Sequence, residues 1–183
     1  VEQLLFRSAG GRGADLPARP RHPPGGARRR IDDAGGVLSF SFEFTENAPR
    51  VAELATPAQI KARWLLANSS HVIDLAFHLG GWPSDWATRT TGALSWHPAG
   101  ADFRGMGATD RGASFSYFAD WRGPGRWGVE LVLPNERLVL RPMEQLAVMP
   151  LGRFDLQPVE IADQLDRAFK PGLYRQMQAF LAE

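Results

Sequence analysis

A strictly alternating octapeptide, Val37-Leu38-Ser39-Phe40-Ser41-Phe42-Glu43-Phe44, decides the fold of this chain. Its large apolar residues stand at every second position, and the side chains of an extended strand point alternately to opposite faces. The segment therefore predicts a strand with one buried face, formed by Leu38, Phe40, Phe42 and Phe44.

More strands are predicted after residue 90, separated by turns rich in Gly, Pro and Asn. They cover residues 92–97, 103–106, 113–121, 127–133, 137–140 and 145–149, whereas residues 82–86 are predicted to form a loop. Helices are predicted at 56–64, from residue 69 or 70 to 79, at 159–169 and at 172–182. This order lacks a regular strand–helix alternation. It predicts an α+β fold: an open, mostly antiparallel β-sheet with helices packed on one face.

The composition is ordinary for a globular protein. The 183 residues suffice for one domain with a sizeable core, and a net charge of +1 gives no global field that favours nucleic acid or an acidic membrane. The sequence has no cysteine, which excludes disulfides and thiol chemistry, and no apolar run of the roughly 20 residues that span a bilayer. We expect a cytoplasmic protein with no nucleic-acid or membrane partner.

The first 30 residues differ from the rest of the chain. Residues 7–30 place seven arginines among Gly, Pro and Ala without apolar periodicity, so they cannot bury enough surface to offset chain entropy. We therefore divide the chain into a disordered or aberrantly translated segment, 1–30, and a folded domain, 31–183. An RNA-binding tail is the less favoured alternative, because no aromatic residue interleaves with the arginines after Phe6.

The segment Asn68–Gly81 predicts an amphipathic helix with a histidine in its first turn. Either of the two serines after Asn68 is a suitable N-cap, the apolar residues follow helical spacing, and the glycine pair at 80–81 ends the helix. His71 and Asp74 are three residues apart and therefore lie on one helix face.

Three interpretations of His71 remain open. It is a first-turn residue with Asp74 as capping partner, a general acid or base oriented by that carboxylate, or part of a metal site with Asp74 and His78. The metal site is the least favoured, because the chain has no cysteine and no second cluster of ligands.

Other side chains close to the histidine in sequence are candidates for binding a ligand. Arg63 can bind an anion or a sugar hydroxyl, or simply face solvent. Trp64 and Trp82 can stack on a sugar ring; alternatively, the tryptophans fill the layer between sheet and helices. We take Arg63, Trp64, Asp74 and Trp82 as candidate substrate-binding residues. The sequence contains no dinucleotide fingerprint in a strand–helix context, no Walker loop, no nucleophile elbow and no HExxH helix.

Several parts of the chain together resemble the C-terminal domain of the glucose–fructose oxidoreductase/inositol dehydrogenase (Gfo/Idh/MocA) family. They are the strand 35–44, Lys61-Ala62-Arg63-Trp64, the helix with His71-x-x-Asp74, the sheet ending in Trp127-Gly128-Val129-Glu130, and the tail 169–174. The basic run at 28–30 is also similar to the crossover that leaves the family's nucleotide domain. The resemblance covers about residues 30–183.

The resemblance implies that the parent enzyme has an N-terminal Rossmann domain, lacking here, that holds NAD or NADP. It implies that this domain binds a sugar or polyol, and that His71 exchanges a proton with the substrate hydroxyl during hydride transfer at a secondary alcohol. Asn68 is the second residue assigned to the catalytic site. A homo-oligomer formed through the open sheet is also implied. The chain by itself is then expected to bind no cofactor and no metal, and to be inactive.

Two departures from the family pattern bear on catalysis. The family has an aspartate four residues before the histidine, where this chain has Ala67; the adjacent Asn68 can bond a hydroxyl but cannot take a proton. The family's Glu-Lys-Pro motif belongs to the nucleotide domain, and neither Lys61 nor Lys170 replaces its lysine. The alternative function is therefore a non-catalytic carbohydrate-binding or dimerisation module.

Overall fold

The computed structural model describes residues 26–161, 164, 168–169 and 173–181. The predicted N-terminal segment up to residue 25, and most of the helix predicted at 159–169, lie outside the described residues. The strands are β1 (Ser39–Phe44), β2 (Pro83–Thr91), β3 (Asp102–Thr109), β4 (Ser114–Asp120), β5 (Trp127–Val132), β6 (Glu136–Leu140), β7 (Leu146–Pro150) and β8 (Gln157–Val159). The helices are α1 (Ala27–Asp33), α2 (Ala48–Glu53), α3 (Ala58–Lys61), a π-helix (Leu65–Ser69), α4 (Ser70–Gly80) and α5 (Leu173–Leu181).

The eight strands form one sheet in the order β2-β3-β4-β1-β5-β6-β7-β8. Strand β1 pairs in parallel with β4, and every other pair is antiparallel. The predicted α+β class and the open, mostly antiparallel sheet are confirmed.

The alternating octapeptide forms the central strand. Phe40, Phe42 and Phe44 of β1 are buried on the face that the helices cover, as predicted. The prediction is wrong for Leu38, which is 56% exposed because the strand begins only at Ser39 and leaves this side chain beyond the packed core.

Helix α4 covers the apolar face of β1. Its buried apolar residues are Val72, Ile73, Ala76, Phe77 and Leu79. The ring of Phe77 meets those of Phe40, Phe42 and Phe115 edge-on, with ring centroids 5.0–5.8 Å apart. This contact fixes the position of α4, and therefore of the residues at its start.

The glycine pair ends α4, as predicted. Gly80 packs so closely on the ring of Phe40 that no Cβ would fit between them. Gly81 ends the helix with a φ of 104°, in the region of backbone space that favours glycine.

Three predicted elements differ from the structure. The loop predicted at 82–86 is wrong from residue 83 on, where β2 begins; β2 is an edge strand, in which a proline is tolerated as the first residue. The strand predicted at 92–97 is instead a turn region closed by a single bridge between Leu94 and His97. Val159, predicted to start a helix, ends β8, because it pairs with Leu146.

Two of the early helices also differ from prediction. Helix α1 begins at Ala27, before the predicted domain boundary at residue 30, and is tied to the sheet by an Arg30–Glu136 ion pair of 2.7 Å. The helix predicted at 56–64 shortens to α3, and no side chain caps it. Among the described residues, no helix is both long and apolar enough to cross a membrane.

Candidate functional site

The segment with the predicted site residues begins as a π-helix. Residues 65–69 form this helix, which runs without interruption into α4. Neither Ser69 nor Ser70 caps α4, because helical backbone already precedes both; Ser70 instead donates its hydroxyl to the Leu66 carbonyl, at 2.8 Å. The predicted N-cap is therefore wrong. π-helical turns are rare and occur frequently at functional sites.

A buried carboxylate holds the π-helix from the end of β1. Glu46 is 8% exposed, and its Oε1 accepts hydrogen bonds from Ser69 Oγ at 2.6 Å and from Asn68 Nδ2 at 3.1 Å. Its Oε2 lies 3.4 Å from the same amide nitrogen. Both donors are neutral, and within the described residues Glu46 has no ion-pair partner. Charge-assisted hydrogen bonds therefore stabilise this carboxylate.

His71 is the second residue of α4, directly after the π-helix, and is exposed rather than sealed in the core. Asp74 is exposed nearly one helical turn further on, and no hydrogen bond or ion pair joins the two side chains in the described part of the chain. Asn68, His71 and Asp74 thus lie on successive turns that a ligand can reach from solvent. No three His, Asp or Glu side chains among the described residues lie together as a metal site.

Trp64, at the start of the π-helix, belongs to an aromatic layer. Its ring lies edge-on to Trp96 at a centroid distance of 6.4 Å, and Trp96 stacks on Trp121 at 5.7 Å. The indole nitrogen of Trp64 is buried without a hydrogen-bond partner among the described residues. This packing matches the alternative in which tryptophans fill the layer between sheet and helices. Arg63, next to it, is exposed.

Trp82 lies apart from the other candidate site residues. Helix α4 has 11 residues and is therefore about 16 Å long. Trp82 follows its C-terminal end, where its backbone N–H donates to Asp110 Oδ1 at 2.9 Å, whereas Asn68 and His71 lie at its start.

The opposite face of the sheet has a shallow concavity of about 660 Å³. Small and polar residues from β1, β4 and their neighbours line it, among them Ser39, Ser41, Ser114, Ser116, Glu130 and Arg137. Met106, also in its lining, is 65% exposed, and Phe118 on the same face is 46% exposed. This face is the one that the predicted oligomer would use.

A second buried carboxylate lies on that open face and differs from Glu46 in its partners. Glu43 accepts a hydrogen bond from Arg141 Nη1 at 2.8 Å, forming an ion pair, and another from the backbone N–H of Arg126 at 3.3 Å. Glu43 therefore serves as a matched control for experiments on Glu46.

Several solved structures with a similar fold are named as dehydrogenases. The chain is similar to levoglucosan dehydrogenase in complex with NADH and levoglucosan, with a TM-score of 0.58 and 19% identity over 75% of this chain and 43% of that chain. It is similar to UDP-N-acetylglucosamine 3-dehydrogenase from Acidithiobacillus ferrooxidans, with a TM-score of 0.54 and 14% identity over 77% of this chain and 45% of that chain. It is also similar to an inositol dehydrogenase homologue from Azotobacter vinelandii, complexed with NADH and myo-inositol, with a TM-score of 0.58 and 14% identity over 73% of this chain and 38% of that chain.

These similarities concern the fold. The chain spans less than half the length of each of these dehydrogenases. No protein-family model matches the sequence, and comparison with curated proteins yields no match. The predicted resemblance to the C-terminal domain of Gfo/Idh/MocA dehydrogenases is confirmed at the level of the fold.

Sequence reasoning missed Glu46. In sequence it follows β1 in the run Thr45-Glu46-Asn47, which looks like a polar turn. Its role is visible only from its hydrogen bonds with Asn68 and Ser69, which lie more than 20 residues later in the chain. Only the tertiary arrangement of β1 beside the start of α4 reveals it.

Proposed function

We propose that the chain is the substrate-binding domain of an NAD(P)-dependent sugar or polyol oxidoreductase of the Gfo/Idh/MocA type. The reaction class is hydride transfer at a secondary alcohol. The observation that carries the proposal is an exposed His71 one turn after an anchored Asn68, in a fold shared with dehydrogenases of sugars and polyols. A cytoplasmic location is part of the proposal and accords with the absence of cysteine.

In this proposal the imidazole of His71 exchanges a proton with the substrate hydroxyl. Imidazole suits this role because its two protonation states are both accessible near neutral pH. Asn68 bonds a hydroxyl through its amide, and the exposed side chains of Arg63 and Asp74 supply further polar contacts. Trp64 supports the site through its packing in the aromatic layer. Trp82 follows the far end of α4 and does not reach the same ligand.

The described residues do not fit a nicotinamide dinucleotide. Such a site needs a glycine-rich turn between a parallel strand and a helix N-terminus. The sheet has one parallel pair, β1 and β4, and within the described residues neither strand is followed by such a turn into a helix. We therefore assign NAD or NADP binding to a part of the enzyme outside these residues. The role argued for this chain is limited to substrate binding and proton exchange.

Substrate binding is testable on the chain itself. Titration of the ¹⁵N-labelled chain with millimolar myo-inositol or levoglucosan should shift NMR signals at the π-helix and the first turn of α4. His71→Asn should weaken this binding about three- to tenfold, as expected when one hydrogen bond to the ligand is lost. His78→Asn, on the same helix but near its other end, is the matched control. Shifts confined to the Trp82 end, or equal effects of the two variants, would contradict the assignment.

A non-catalytic carbohydrate-binding or dimerisation module is the second candidate. The observation that favours it is Ala67, which stands where the family carries an aspartate. The discriminating assay uses the longest natural product of the gene that contains this chain, with NAD or NADP and the bound polyol. Turnover in the unaltered protein that is lost in the His71→Asn variant supports the oxidoreductase. Polyol binding without turnover in the unaltered protein supports the module.

We also propose that the open face of the sheet pairs with a second copy of the chain. Met106 lines the serine-rich concavity and Phe118 lies on the same face, and both are exposed. The face therefore offers apolar side chains on a shallow surface that a second copy could cover. Light scattering of the chain should give a mass above that of a monomer, and Met106→Glu with Phe118→Glu should return it to a monomer. An unaltered mass in the double variant would contradict this interface.

A further inference from the structure

The hydrogen bonds of Glu46 determine which way the amide of Asn68 points. A carboxylate has only acceptor atoms, so the group of Asn68 that faces it must be the NH₂ donor and not the carbonyl oxygen. Both carboxylate oxygens lie near that nitrogen, at 3.1 and 3.4 Å. Of the two orientations that exchange the amide oxygen and nitrogen, only the one with the NH₂ group facing Glu46 is therefore compatible with the hydrogen bonds.

The carbonyl oxygen of Asn68 consequently points away from Glu46. Within the described residues Oδ1 has no hydrogen-bond partner, and it is not a buried atom. It is therefore accessible to solvent. The residue as a whole is half-buried, with its nitrogen bonded to the buried Glu46.

A second contact strengthens the anchor. Ser69, which is fully buried, donates its hydroxyl to the same Oε1 at 2.6 Å. Two consecutive side chains of the π-helix thus converge on one carboxylate from a different element. This arrangement restricts both the backbone of the π-turn and the Asn68 side chain that it presents.

We infer that Glu46 is a positioning residue: it holds Asn68 so that Oδ1 forms a fixed hydrogen-bond acceptor for a hydroxyl group of the ligand. The ligand part of this inference rests on the proposed function. It states a chemical preference, since an outward acceptor recognises a donor such as a sugar or polyol hydroxyl. The same position is unfavourable to a carbonyl, ether or carboxylate oxygen, which would leave two acceptors facing each other.

The orientation is measurable without any ligand. In the unaltered chain, a proton of the Asn68 side-chain amide should resonate downfield and exchange slowly with solvent, because it is bonded to a buried carboxylate. Glu46→Ala should remove both properties, whereas Glu43→Gln, at the other buried carboxylate, should leave them unchanged. An Asn68 amide that already exchanges freely in the unaltered chain, or that Glu46→Ala does not alter, would overturn the inference.

A swap of the pair separates positioning from simple packing. Asn68→Asp alone places two carboxylates together and should weaken myo-inositol binding at least tenfold, about the effect of losing one charge-assisted hydrogen bond. Glu46→Gln alone keeps an acceptor for Ser69 and Asn68 and should change binding less than threefold, a conservative limit for this near-isosteric change. The double variant Glu46→Gln/Asn68→Asp restores a donor–acceptor pair of reversed sense. It should recover binding to within about threefold of the unaltered chain.

The outcomes distinguish this inference from the proposed function. Failure of the double variant to recover binding, with its fold intact by circular dichroism, would overturn the positioning role. An anchored amide in a chain that binds no polyol would uphold the positioning by Glu46 but refute both the polyol as ligand and the proposed function.

Discussion

Replacing Phe77 with alanine should lower the free energy of unfolding by about 3–5 kcal/mol, the range observed for large-to-small changes at buried aromatic residues. The ring is 2% exposed and lies edge-on to three others, at centroid distances of 5.0, 5.5 and 5.8 Å. Each such pair adds about 0.5–1.5 kcal/mol beyond the area that it buries. Phe77→Leu keeps most of the volume but loses the ring contacts, and should cost about 1–1.5 kcal/mol.

Urea denaturation followed by tryptophan fluorescence measures this loss, with the buried Trp121 as reporter. The midpoint should fall while the slope of free energy against urea stays unchanged. Phe154→Ala, at a side chain that is 95% exposed, is the control and should stay within about 0.5 kcal/mol. A cost below about 1 kcal/mol for Phe77→Ala, or an equal cost for Phe154→Ala, would refute the assignment of this ring to the centre of the core.

Gly80→Ala should destabilise the chain by about 1–3 kcal/mol, because the added Cβ would meet the ring of Phe40, which its neighbours hold in place. Gly123→Ala, where the added Cβ would lie 4.0 Å from the backbone oxygen of Asp120, is the control in thermal unfolding; an equal loss of Tm in both would contradict the close approach. Hydrogen bonds from Arg122 lower the pKa of the Asp120 carboxyl, so the stability that this carboxyl contributes is present above its unfolded pKa and is lost as pH falls through its lowered folded pKa. The Tm difference between the unaltered chain and Asp120→Asn should therefore shrink on acidification, and a difference that does not change with pH would exclude this linkage.

Sequence patterns predicted the strands that have one buried face. β4 alternates in burial along its length, and β1 does so from Ser39 to Phe42, because one side of each packs on α4 and its neighbours. Such alternation is what a sequence displays. β2 was missed for the opposite reason. As an edge strand it is mostly exposed on both sides, so no period of two appears, and its first residue, Pro83, is typical of a loop.

The candidate site was predictable only where one element forms it. His71 and Asn68 belong to a single helical segment, and their spacing could be read directly. The π-helix could not be anticipated, because its hydrogen-bond register is not encoded in apolar periodicity. Glu46 reaches Asn68 and Ser69 through the packing of the β1 end against that segment, a contact between residues distant in sequence.

The place of β1 in the sheet has a consequence for how the chain folds. Ser39 pairs with Ser114 on one side and with Val132 on the other, so both neighbours of this early strand are synthesised long after it. Strands β2–β4 and β5–β8 are each built from consecutive antiparallel pairs, and in the sheet they meet only through β1. Both edges of β1 therefore stay unpaired until β4 and β5 have been synthesised, and such long-range pairing is slow. A chain without β1 would keep two small sheets with bare edges, to which the strand of another molecule could add.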